Sequence, residues 1–244
     1  MNSTIFSLTL QQIAGRRRSL AMFGLAIVPV LVALVFQLGE RLDQQEWTAN
    51  VLLDDIILTI VLPLTCLILG TSVFGSEVED GTAVYILAKP IQRRQIIIAK
   101  FAAASLVAAA VVVPATAISG LLAIQGASED GIVIGFTIAT LFGIAAYTGG
   151  FILLSVVTSR ALLIGLAYVF IWEGIATELF TGTRFLSIRH YCLGIADLIS
   201  STGKQNFEAE LGGAEGLVLA SAAAAIALFL AVRRLQRFEL TEPD

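Results

Sequence analysis

Apolar residues collect in six long runs: Leu20 to Leu38, Ile56 to Phe74, Phe101 to Ile124, Ile132 to Val157, Ala161 to Phe180, and Gly216 to Val232. A helix rises about 1.5 Å per residue, so a run of about 20 residues crosses a hydrocarbon core of about 30 Å. The pattern predicts an all-α integral membrane protein with six transmembrane helices. The last run is the shortest and is expected to extend back toward Glu215. Only the fifth contains formal charges, Glu173 and Glu178.

Composition agrees with the pattern. Of 244 residues, 57% are hydrophobic and 14% charged, against about 25% charged in a soluble domain, and the mean hydropathy is +0.88. Little chain is left for a soluble catalytic module. The net charge of -4 is spread without a block of like charges, so a nucleic-acid-binding tail is not indicated. Arg16, Arg17 and Arg18 precede the first run as in a signal peptide, yet the run exceeds the usual length of about 7–15 residues and lacks a small-residue cleavage site, so a retained span is expected.

Basic residues set the orientation. With the N-terminus cytoplasmic, eleven of the 15 Lys and Arg fall inside, and Arg41, Arg184, Arg189 and Lys204 fall outside. The positive-inside rule therefore places both termini in the cytoplasm. Residues 1–18, where Ile5, Phe6, Leu8, Leu10 and Ile13 alternate with polar residues, are expected to form an N-terminal interfacial helix. Residues 19–232 make the six-helix transmembrane domain, and residues 233–244 a cytoplasmic tail. The external loop 181–214 carries Phe185, Ile188, Tyr191, Ile195 and Leu198 at helical spacing, which predicts an amphipathic or partly re-entrant helix.

The loop 75–100 has ordered charges. Glu77, Glu79 and Asp80 precede Ala83 to Ala88, which includes Tyr85 and Leu87 and ends at Lys89 and Pro90. Acids at the start and a base at the end complement a helix dipole, Asp80 suits an N-cap, and proline stops the helix. A short helix across the cytoplasmic face follows, with Arg93, Arg94 and Lys100 expected to meet the anionic leaflet.

Glu77, Gly81-Thr82, Leu87, Pro90, Arg93-Arg94 and Lys100, followed by a long span, resemble the E…GT…L…P…R…K signature of the type-2 ATP-binding-cassette (ABC) exporter permeases. Six spans, cytoplasmic termini, an interfacial helix and a long last external loop resemble them too. The resemblance implies a permease subunit in a bacterial or archaeal cytoplasmic membrane, pairing with a second copy of itself or a related permease. It implies two copies of a cytoplasmic ATP-binding subunit in the assembly and, here, a cytoplasmic coupling helix that sits in a groove of that subunit, with Glu77, Asp80, Gly81, Thr82, Tyr85, Leu87, Pro90 and Arg93 as the coupling residues. No G-x-x-x-x-G-K-[ST] loop occurs; Gly203-Lys204 is followed by Gln205. ATP and Mg would thus be bound by the partner ATPase, with no cofactor and no catalytic residue on this chain.

Within the spans, Glu173 and Tyr147 are candidates for the substrate path, since an intramembrane carboxylate is a functional hypothesis by default. Counted from Ala161, Glu173 lies about 18 Å from the cytoplasmic end, toward the outer boundary, which also fits an interfacial or packing role. Gly135, Ala139 and Gly143, and the run Ala222 to Ala225, present small residues for helix packing. His190, Cys66 and Cys192 cannot supply a four-ligand metal site. The alternatives are an ion-driven secondary transporter, a membrane-embedded enzyme, and a non-transporting immunity or scaffold protein.

Overall fold

A computed structural model describes residues 6–10, 16–39, 44–79, 92–125, 131–200 and 209–236. Among these the chain is helical and contains no strand. Residues 6–10 form a helical turn where the interfacial helix was expected. Helix α1 is Arg16–Gln37, so the arginine triplet opens it rather than preceding it. Helix α2 runs without a break through Gln44–Trp47, Thr48–Val61 and Leu62–Glu79. Helix α3 is Arg93–Ala123 and α4 is Ile132–Val157. Helix α5 runs through Ala161–Ala167, Tyr168–Ala176 and Thr177–Leu179. A 3-10 turn, Thr181–Leu186, leads into α6, Ile188–Ile199, and α7 is Gly213–Gln236.

Five helices, α1, α2, α3, α4 and α7, are long and apolar enough to cross a membrane, and a sixth apolar helix, Ala161–Ala176, is shorter. The second starts earlier than its apolar run. It begins at Gln44, so Asn50, Asp54 and Asp55 lie on helical turns. Two stretches, Thr48–Val61 and Tyr168–Ala176, are π-helical. These widened turns hold Asp54, Asp55 and Glu173, consistent with the frequent occurrence of π turns at functional sites.

Helix α4 is the hub, packing against α7, α2, α6 and α3, while α1 packs mainly on α3. Hydrophobic attraction does not drive helices together in lipid, so close backbone approach has to. A Cβ at Gly135 would lie 2.7 Å from the Ala196 carbonyl oxygen, and one at Gly143 would lie 2.8 Å from both Cys192 Sγ and a Leu62 methyl. The small-residue face read from the sequence is therefore the seat of α6. Tyr191, Cys192, Ile195 and Ala196 are buried against α4 and α7, whereas Phe185 and Leu198 are exposed, so the buried stripe is narrower than the helical spacing suggested.

The same contacts fix the depth of α6. Its end, Ile199, lies near Gly131 at the start of α4, whereas Cys192 reaches Gly143. Twelve residues of α4 separate these levels, about 18 Å of rise. The N-terminus of α6 thus lies deep in the bundle, and the helix runs back along α4 toward its start.

Gly135→Leu should force α6 off α4 and lower the thermal unfolding midpoint of the purified protein, at an overpacking cost of about 1–3 kcal/mol. Gly150→Ala, where a Cβ meets nothing within 4 Å, is expected to leave the midpoint unchanged.

Candidate functional site

The 3-10 turn folds back down the outer part of α5. Thr183 Oγ1 donates to the Ala176 carbonyl at 3.0 Å, Arg184 Nε to the Thr177 carbonyl at 2.9 Å, and Trp172 Nε1 to the Leu186 carbonyl at 3.3 Å. Arg184 also pairs with Glu210, just ahead of α7. The turn delivers Ser187 and the N-terminus of α6 to the level of Glu173.

A helix N-terminus exposes N–H groups that lack intrahelical acceptors, and where water is excluded each needs a protein partner. Glu173 supplies one: its Oε1 accepts the Ile188 N–H at 3.0 Å and the Tyr168 hydroxyl at 2.8 Å, and its Oε2 accepts the Ser187 hydroxyl at 2.5 Å. Ser187 Oγ in turn accepts the His190 N–H at 3.3 Å, as an N-cap does, and lies 2.9 Å from His190 Nδ1. The carboxylate is fully buried and faces the positive end of the α6 dipole. The structure thus makes Glu173 a cap within the fold rather than a group reaching headgroups or water.

A second carboxylate holds the next residue. Arg189, 8% exposed, makes a two-pronged ion pair with Asp54, Nε to Oδ1 at 2.7 Å and Nη2 to Oδ2 at 2.9 Å, and Nη2 lies 3.2 Å from Asp55 Oδ1. Parallel bonds of this kind are the strongest geometry open to a guanidinium. Consecutive residues Ile188 and Arg189 are thereby fastened to α5 and α2. Neither Asp54 nor Arg189 was singled out from the sequence. The available signal was an arginine inside the apolar stripe of the external helix.

Tyr147 lies on α4 close to this cap. A cavity of about 330 Å³ is lined by Tyr147, Gly150, Phe151, Leu154, Ile164, Tyr168 and Ile188. Phe151 stacks on Tyr147 at 6.0 Å between ring centroids and meets Tyr168 edge-on at 6.5 Å. The buried Tyr147 hydroxyl has no hydrogen-bond partner among the described residues. The two residues expected in a substrate path are therefore brought together, Tyr147 on the cavity wall and Glu173 behind Tyr168.

At the other end of the bundle, Asp80, Gly81, Thr82, Tyr85, Leu87 and Pro90 lie outside the described residues, and Glu77 falls in the last turns of α2. The flanks of the loop are described. Arg93 Nη1 donates to the Leu235 and Gln236 carbonyls at 2.5 and 3.0 Å, capping the C-terminus of α7. Lys100 does not meet the leaflet, as the sequence suggested. It is 2% exposed and donates from Nζ to the Val73 carbonyl at 2.5 Å, one turn before Glu77. Burial of an ammonium demands such acceptors, and the end of α2 provides one. No cluster of three or more His, Cys, Asp or Glu suited to a metal occurs among the described residues.

A family model described as "ABC-2 family transporter protein" matches residues 16–182, from the first arginine of α1 to the 3-10 turn. No curated protein matches the chain significantly.

Removing one partner of a buried ion pair leaves the other charge uncompensated, at about 3–5 kcal/mol. Asp54→Ala and Arg189→Ala should each lower the unfolding midpoint strongly, and the double variant should cost clearly less than the sum. Additive losses would show that the pair does not couple α2 to α6. Glu173→Ala should free the start of α6, read with Cys192 as the sole thiol in a Cys66→Ala background. Buried Cys192 is expected to resist a membrane-permeant maleimide in the parent and to react in the variant. Equal labelling rates would remove Glu173 from this role.

Proposed function

Because the chain belongs to the ABC-2 transporter family, we propose that it is the membrane permease subunit of an ATP-driven exporter, working as a dimer with two copies of a cytoplasmic ATPase. The permease assignment follows from the family; export, dimerisation and the coupling loop are the proposed part. The family match over residues 16–182 is the observation that carries the reading. Six spans with both termini in the cytoplasm complete it, α5 with its 3-10 return being the sixth.

In this reading the ATPase presses on the loop 75–100, through Glu77, Asp80, Gly81, Thr82, Tyr85, Leu87 and Pro90. The contacts at the ends of the loop support a route for the force. Displacement of the start of α3 pulls on α7 through Arg93, and displacement of α2 is felt by α3 through Lys100. At the outer side, α2 and α5 both hold α6, so relative movement of α2 and α5 moves the re-entrant helix. ATP and Mg belong to the partner. An ion-driven carrier is disfavoured because the carboxylates within the bundle, Asp54 and Glu173, are taken up by Arg189, Tyr168, Ser187 and the Ile188 amide.

The test is co-expression with a candidate ABC ATPase from the same genome. The tagged permease is expected to retain that ATPase, and its presence should alter the ATPase turnover. Glu77→Ala and Pro90→Ala should insert and fold normally yet lose the effect on turnover. An unchanged effect in both variants would overturn the coupling assignment, and no retained ATPase would overturn the proposed partnership.

A further inference from the structure

The C-terminal parts of helices α4 and α7 border a groove of about 370 Å³, lined by Leu153 and Val157 from α4 and by Leu230, Arg233 and Arg234 from α7. Residues 153 and 157 share a helix face at four-residue spacing, as 230 and 234 do, with 233 beside them. The groove therefore has apolar walls along the bundle and two guanidinium groups at one rim. Its volume falls within the range of about 300–1,000 Å³ usual for ligand sites.

Among the described residues no carboxylate pairs with Arg233 or Arg234, and the contact made by Arg233 is with the Phe229 ring, 5.5 Å from its centroid. Arg93, by contrast, is engaged by the carbonyls of Leu235 and Gln236. The α7 terminus is thus capped by another residue, and Arg233 and Arg234 are not needed for that. Val157, Leu230, Arg233 and Arg234 are all exposed in the single chain.

We propose that this groove is a binding site for one anionic phospholipid of the cytoplasmic leaflet. The phosphodiester is held by Arg233 and Arg234, and an acyl chain runs along Leu153, Val157 and Leu230. A free phosphate shares the headgroup chemistry but gains nothing from the apolar wall. A zwitterionic lipid shares the wall but brings a cation against two arginines. Both arginines occupy the last turn of α7, a helix long and apolar enough to cross a membrane, and in the orientation proposed above that turn meets the headgroups of the cytoplasmic leaflet. The inference is independent of the coupling reading, since no ATPase enters it.

Native mass spectrometry of the purified full chain, offered phosphatidylglycerol and phosphatidylcholine together, tests the site. The parent should retain phosphatidylglycerol selectively, and inorganic phosphate should fail to displace it. At about 1 kcal/mol per basic residue near the surface, Arg233→Gln with Arg234→Gln should weaken retention roughly 30-fold. Leu153→Trp, which fills the wall and leaves both charges, should also lower retention, with the unfolding midpoint in phosphatidylcholine confirming that each variant is folded. Equal retention by the parent and the double variant would overturn the proposal. Ready displacement by inorganic phosphate would overturn it too, showing an anion site without a lipid chain.

Discussion

The start of a helix set inside the bundle is the constraint on which the packing of α2, α5 and α6 depends. Helix α6 begins roughly 18 Å below the outer end of α4, and its first N–H groups have no intrahelical acceptor. Glu173 meets that need with three hydrogen bonds, and the helix dipole favours an acidic side chain at that end. Neither group could be buried there without the other at acceptable cost, because an unpaired charge in the interior is far more expensive than a capped one. The close glycine contacts of α4 are what allow α6 to descend so far.

Most of this fold was legible because hydrophobic length reports on spans directly. The runs from Ile132 and Ala161 became α4 and α5 nearly at their expected bounds, whereas α3 starts at Arg93, about two turns ahead of its run from Phe101. The second helix was read short, since Asp54 and Asp55 end an apolar run. A charge reads as a boundary when taken alone, and here its partner lies 135 residues away. Arg189 was counted as an external base for the same reason. Lys100 was assigned to the leaflet because nothing in its neighbourhood announces that the Val73 carbonyl waits beside it. Glu173 was located within its helix by counting residues, but its function as a cap required knowing where the chain returns.

The two ends of the bundle solve the same problem with opposite signs. At one end carboxylates of α2 and α5 hold donors of α6; at the other, cations of α3 hold carbonyls at the ends of α2 and α7. In both places a charged side chain satisfies backbone groups that a helix terminus leaves over. Helices joined in this way move together, because separation would strand a charge.

The distance in sequence between Asp54 and Arg189 also bears on how the protein is made. Translation at about 5–20 residues per second separates the two by roughly 7–27 s across 135 residues. For that interval α2 carries its acids without their final counter-ion, so it is the last third of the chain that completes the charge balance of the first. Insertion of α2 therefore remains provisional until the re-entrant helix arrives, and truncated chains ending before Arg189 lack the group that fixes α2 in place.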